Sequence, residues 1–237
     1  MQSPLHASFT GLIKTMSQGT DGAIFINDER RKRVLKAVVD AFYGDRSDGT
    51  VVFDNCRGWP MLINCIAELF PNARMLCCLR NPAWILDSFE RQVSINCFQA
   101  SRIFDFSVGA DVYARVEQLM RSQLLGPSLK GVRQAWFSND AARLIGIRYE
   151  SLVERPAETI REIYSLLGET WFEHDFNNVA YDEPEYDAWI GMPGLHSVRP
   201  RVELQKRETI LPVDIFAQYD ECFWEMPDHN PRGVVIL

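Results

Sequence analysis

From residue 28 onward the apolar positions fall into alternating helical and strand-like periods. In DERRKRVLKAVVDAFY, residues 28–43, Val34, Leu35, Val38, Val39 and Phe42 recur at helical spacing behind a charged first turn, which predicts an amphipathic helix. GDRSDGT breaks that period, and the short β-branched run TVVFD predicts a buried parallel strand ending near Asp54. Between Pro60 and Phe70 the residues Leu62, Ile63, Ile66, Ala67, Leu69 and Phe70 again share a helical face, and Pro71-Asn72 ends it. ARMLCCL is short and strand-like, so this stretch predicts a βαβ unit of about thirty residues. A helix over about 82–96 follows Pro82.

Residues 108–125 and 127–140 predict two more helices, and ARLIGIRYE another strand. SLVERPAETIREIYSLLGE then reads as a polar turn, a helix starting near Pro156 and a glycine stop. The last sixty or so residues carry no clear period, which predicts a long irregular segment against the sheet with a short helix near 212–224. No repeat or low-complexity linker is visible, and a chain of 237 residues is long enough for one α/β domain over residues 1–237.

Composition changes this picture little. With 46% hydrophobic and 24% charged residues the chain has the balance of an ordinary globular protein and no apolar run of membrane-spanning length. The net charge of −7 excludes general attraction to nucleic acid, so any anion site has to be a local basic pocket. Six cysteines, at 56, 65, 77, 78, 97 and 222, have no paired metal-ligand spacing, and the N-terminus has no signal-peptide pattern. A reduced, cytoplasmic protein without a metal is the expectation.

The candidate chemistry lies at the carboxyl ends of the predicted strands, where open parallel sheets bind ligands. Arg80 sits just beyond CCL, and Pro82 fits the first position of the next helix, so an anion there would meet a guanidinium and a helix N-terminus together. Ser88 lies six residues into that helix, about 9 Å along its axis at ~1.5 Å per residue. An arginine after a strand also serves as a surface ion pair, and this stretch alone leaves both readings open.

Three segments resemble a known family. LFPNARMLCCLRNPAWILDSFER resembles the 3′-phosphate-binding segment of sulfotransferases that use 3′-phosphoadenosine 5′-phosphosulfate, in which Arg and Ser eight apart grip the nucleotide; Arg80 and Ser88 have that spacing. IGIRYESLVERPAETIREIYSLLGE resembles the segment whose tyrosine lies near the adenine, a role that would fall to Tyr149. HDFNNVAYDEPEYDAWIGMPGLHSVRPRV resembles the tail of the bacterial-type branch, where the chain returns over the nucleotide; Ser197 with Arg199 or Arg201 would add contacts to the 3′-phosphate. Lys206 and Arg207 fit solvated charges as well as they fit such contacts.

The resemblance implies an α/β, P-loop-like three-layer sandwich with a central parallel sheet flanked by helices. It implies 3′-phosphoadenosine 5′-phosphosulfate as donor, adenosine 3′,5′-bisphosphate as product, and a small-molecule acceptor with a hydroxyl or amine; neither nucleic acid nor membrane is implied. The family's phosphate-binding loop, P-[RK]-S-G-[TS], has no match, and a family segment like LHASFTGL follows that loop. The chain is therefore expected to begin just downstream, without the N-terminal strand and loop, and to turn over slowly. A remnant that binds a nucleotide or partner without turnover is the alternative.

In DNCRGWP, Arg57 stands about where relatives carry a catalytic Lys-x-His or lysine, which implies a transition-state cation. It cannot be a base, because a guanidinium keeps its proton. Asp54 at the strand end and His6, where tyrosylprotein-type relatives carry a glutamate, are the base candidates, with His196 a third that would also order the returning loop. Trp59 is placed to line an acceptor pocket, and loops 10–25, 95–112 and 175–195 are the acceptor-binding candidates. No G-x-x-x-x-G-K-[ST] string supports an NTPase, and His174, Asp175 and His196 have no helical metal-site spacing.

Overall fold

Parallel pairing of β1 (Met75–Leu79) with β2 (Leu144–Arg148) organises the larger part of the chain. The structure, a computed structural model, describes residues 2–17, 19–44, 49–226, 230 and 232–237. It divides into an N-terminal unit, Met1–Ala73, and a C-terminal unit, Arg74–Leu237.

The N-terminal unit is built from α1 (Leu5–Thr15), α2 (Asp28–Tyr43) and α3 (Ile63–Leu69). Helix α2 has the predicted bounds: Asn27 caps it by accepting the Arg30 N–H at 2.9 Å, and Asp28 and Glu29 face the positive end of its dipole. Phe9 and Met16 from α1 and its end meet Leu35 of α2, with Ile66 and Trp59 packed around them. Arg31 Nε donates to the Met16 carbonyl at 2.7 Å, which ties α2 to the end of α1. Residues 10–15 of the first expected acceptor loop are thus helical. Residues 45–48 of the expected break lie outside the described residues.

The strand expected at 50–54 is absent among the described residues, and the βαβ unit with it. This segment is irregular, with Val51 46% and Phe53 68% exposed. β-branched residues favour a strand only when a ladder and a packed face receive them, and the described N-terminal unit has no sheet.

In the C-terminal unit β1 leads into α4 (Pro82–Ile95), followed by α5 (Val112–Arg121), α6 (Gly126–Trp136) and β2. The register pairs Met75 with Leu144 and Leu79 with Arg148. After β2 come α7 (Tyr149–Glu154), α8 (Pro156–Leu167), α9 (Pro184–Ile190), α10 (Val213–Tyr219) and β3 (Val235–Ile236), which pairs parallel with β2. The order is β1-β2-β3. Helices α7 and α9 and strand β3 fall where the sequence predicts a turn or an irregular tail. The first two are six and seven residues long, too short for a period to stand out.

Strand β2 is buried on both faces. Ile145 and Ile147 pack with Ile163 of α8 on one face, whereas Gly146, pointing the other way, approaches Trp136 of α6. Helix, sheet and helix form the expected three layers. A second core gathers Leu86 of α4, Val116 and Leu119 of α5, Ile190 of α9 and Ile215 of α10. No helix of the described residues is long and apolar enough to cross a membrane, and all six cysteines are free.

Candidate functional site

The register of β1 on β2 builds the first half of the site. Because Leu79 lies opposite Arg148, the next residues, Arg80 and Tyr149, leave adjacent parallel strands side by side. The Arg80 guanidinium lies over the Tyr149 ring at 4.2 Å. Its Nε is buried and has no hydrogen-bond partner, an unmet donor of a kind that native structures rarely leave without a ligand or water. Helix α4 starts two residues on, with Pro82 in its first turn and Asn81 capping it through the Ala83 N–H at 2.9 Å.

The second half comes from α4 and the chain after α9. Ser88 Oγ donates to the Trp84 carbonyl at 2.9 Å and accepts from Arg207 Nη2 at 2.8 Å. Arg207 also meets the carboxylate of Asp87 at 2.8 Å and lies over the Trp84 ring at 5.6 Å. Asp87 is fully buried and accepts from Arg91 Nε at 2.9 Å, the Ile210 N–H at 2.8 Å and Thr209 Oγ1 at 3.1 Å. Burial alone would raise its pKa, but these hydrogen bonds and the two guanidinium charges hold it below the usual carboxylate range.

Arg207 has its own pKa lowered, first by burial and then by the like charges of Arg91 and Arg80, against the pull of Asp87. Arg80, with its Tyr149 ring, and Arg207, with its Ser88 hydroxyl, thus bring like charges near one another, and an anion bound by both would offset that repulsion. Of the two readings left open for Arg207, the solvated charge is excluded: its side chain is only 25% exposed. No local spacing signals this, because its partners lie more than a hundred residues earlier in the chain.

The other predicted nucleotide contacts stand apart from this cluster. Ser197 Oγ donates to Asp182 at 2.8 Å, beside the antiparallel bridge of Tyr181 with Val198, and Arg199 is exposed. His196 serves the returning loop: its backbone N–H and its Nδ1 both meet the fully buried carboxylate of Asp187, at 2.9 and 2.5 Å. His174 bonds the Tyr164 hydroxyl at 3.1 Å among stacked rings. Among the described residues no group of three or more His, Cys, Asp or Glu could hold a metal ion.

The three predicted catalytic residues come together in the N-terminal unit around Trp59. The Trp59 indole donates to Asp54 Oδ1 at 2.6 Å, and the Tyr43 hydroxyl donates to Oδ2 at 2.5 Å. The edge of His6 meets the Trp59 ring at 5.2 Å, and its Nε2 is buried without a partner. Arg57 pairs with the side-chain amide of Gln2, and the Ser3 N–H donates to the Asn55 carbonyl at 2.8 Å, so the N-terminal segment lies along the 54–58 loop. Gly58 lies against His6 there, and a Cβ would run into the His6 ring unless the ring shifts.

A sequence model of the sulfotransferase family matches residues 23–173, well over half of the chain. The chain belongs to the sulfotransferase family. This family member gives no match among curated proteins or solved structures. The matched span includes Arg57, Arg80, Ser88 and Tyr149; His6 and Arg207 lie outside it.

Proposed function

We propose that this sulfotransferase-family chain transfers a sulfuryl group from 3′-phosphoadenosine 5′-phosphosulfate to a hydroxyl or amine of a small molecule, in a reducing, cytoplasmic setting. The observation that carries the donor is the pocket of Arg80, Ser88, Arg207 and Tyr149. Two repelling guanidinium groups, one with an unmet buried donor, fit the 3′-phosphate, and the Tyr149 ring offers a face for the adenine. Ser197 and Arg199 are the weaker candidates, because neither is joined to that pocket by a contact of the described residues. The family match, over residues 23–173, includes part of each unit, which supports one domain over that span.

When bound, the donor supplies the sulfuryl group and leaves as adenosine 3′,5′-bisphosphate. Arg80 and Arg207 hold the 3′-phosphate, with Ser88 fixing the direction of Arg207. Within the N-terminal unit, Arg57 is the candidate for the cation that the reaction requires. His6 is favoured over Asp54 as the base that takes the acceptor proton, because both Asp54 oxygens are engaged by Tyr43 and Trp59 while His6 Nε2 has no partner. Asp54 then acts as a positioning residue for the loop that carries Arg57.

Calorimetric titration with adenosine 3′,5′-bisphosphate tests the donor reading. Saturable binding is expected, weakened about a hundredfold in Arg80→Gln, in keeping with loss of a charge-assisted contact to phosphate. Equal affinity in wild type and variant would sink it. Sulfuryl transfer from the labelled donor, measured separately, distinguishes an enzyme from a chain that binds the nucleotide without turnover.

A further inference from the structure

Outside the donor pocket, the loop after α4 and helix α9 hold a second arginine in an unusual setting. The Arg102 guanidinium lies over the Trp189 ring at 4.4 Å and over the Phe106 ring at 5.1 Å. Its Nε donates to the Trp189 carbonyl at 2.9 Å, which fixes the plane of the fork. Among the described residues its contacts are this carbonyl and the two rings, with no carboxylate, and it is exposed. With its Nε engaged and the residue exposed, its terminal N–H groups are open to a ligand.

Several independent restraints hold that geometry. Ser101, 5% exposed, donates from Oγ to the Ile190 carbonyl at 3.1 Å, which joins the two loops directly beside Arg102 and Trp189. Gly191 has φ +77°, and a Cβ there would collide with the Ala100 carbonyl, so only glycine permits this approach. Asp105 and Phe106 both take left-handed φ, 50° and 56°, a conformation that strains a non-glycine residue. The turn they make sets the Phe106 ring against the guanidinium. Trp189 is still 59% exposed and Phe106 52%, so apolar ring surface borders the fork.

We propose that Arg102, between Trp189 and Phe106, is an anion-reading site for the acceptor, which carries a carboxylate or other oxyanion on a planar body. This rests on the sulfotransferase reading for the ligand's role as acceptor; the binding chemistry stands without it. The terminal N–H groups of the fork match a carboxylate bidentately, and the exposed surface of Phe106 and of Trp189, which is itself stacked on Tyr186 at 5.7 Å, borders the flat body. The nearby acids do not occupy the fork: Asp105 accepts from Gln118 Nε2 at 3.0 Å, and Asp187 is buried against His196. Loop segments 95–112 and 175–195, expected to select the acceptor, are the ones this cluster joins.

The probe is 4-hydroxybenzoate, with 4-hydroxybenzamide as its neutral counterpart, titrated into the full chain by calorimetry. The benzoate is expected to bind about tenfold or more tightly than the amide, with affinity falling as salt rises. Arg102→Gln is expected to remove that preference, and Arg102→Lys to restore part of it, while adenosine 3′,5′-bisphosphate binds both variants as it binds wild type. Equal binding of benzoate and amide overturns the proposal. So does an unchanged preference in Arg102→Gln, or displacement of the benzoate by adenosine 3′,5′-bisphosphate, which would put the anion at Arg80. Loss of nucleotide binding in Arg80→Gln tests the donor reading separately, so failure of one is not failure of the other.

Discussion

Arg207 Nη2 stands 2.8 Å from Ser88 Oγ, and the same guanidinium meets the buried carboxylate of Asp87, the residue before Ser88. The proposed donor site and the packing of the C-terminal unit therefore share one side chain. Arg207→Gln is expected to weaken adenosine 3′,5′-bisphosphate binding and also to destabilise the fold by about 1.5–3 kcal/mol, the range for one hydrogen bond to a charged group, since Asp87 keeps Arg91, Ile210 and Thr209. Ser88→Ala removes the contact to Arg207 and leaves Asp87 paired. Its nucleotide affinity is expected to fall several-fold with little change in the urea midpoint, and a large midpoint shift would show that Ser88 is structural.

Asp87 also sets a pH dependence. Its folded pKa lies below the unfolded carboxylate value of about 3.9, so the folded state holds its charge where the unfolded chain is taking up a proton. Its stabilising contribution is present in full above that range and is lost as pH falls through the folded pKa. Urea midpoints measured from about pH 6 down to pH 3 are expected to fall at the acid end, with a shallower fall in Asp87→Asn. Parallel curves would remove Asp87 as the cause.

Tyr149 tests what the aromatic face contributes beside Arg80. Tyr149→Phe keeps the ring under the guanidinium and is expected to bind adenosine 3′,5′-bisphosphate nearly as wild type. Tyr149→Ala loses the cation–π contact, about 0.5–2 kcal/mol, together with the proposed adenine face. Calorimetry on the two variants separates ring from hydroxyl, and a larger loss in Tyr149→Phe would point to the hydroxyl instead.

Gly58 and His6 are coupled by contact. Gly58→Ala would press a methyl group into the His6 ring and is expected to cost about 1–3 kcal/mol. In His6→Ala the same substitution should cost much less, because the obstructing ring is gone. A double-mutant cycle by chemical denaturation measures the difference, and additive penalties would mean that the ring swings aside freely.

The thiols differ in reactivity for structural reasons. Burial, with the neighbouring Cys78, pushes the Cys77 thiol up to about 12. Cys222 is also pushed up to about 12, by burial first and then by Glu225, Glu150 and Asp220. Cys97 is exposed. Alkylation of the native protein followed by mass spectrometry is expected to label Cys97 early and Cys77 and Cys222 only after unfolding, since the thiolate is the reacting species. Early labelling of Cys77 would contradict its placement in β1.

Long periodic segments were legible from the chain alone. The bounds of α2 and the start of α4 follow from a polar cap, a proline in the first turn and a continuous apolar stripe, all local signals. TVVFD shows the limit of that reading, because its strand character depends on a neighbour that it does not have in the N-terminal unit. Helices α7 and α9 escaped because one or two turns cannot display a period.

Around the proposed site, the sequence determined the strand end before Arg80 and the helix that carries Ser88, since these are properties of contiguous residues. It also placed Tyr149 at the end of the next strand. Tertiary structure alone decided that Arg207 meets Ser88 and Asp87, that Ser197 turns to Asp182 and that Arg102 lies over the rings of Trp189 and Phe106. Those outcomes depend on which distant segments pack together. That choice is made by burial and charge pairing in the folded chain, and the local pattern carries no record of it.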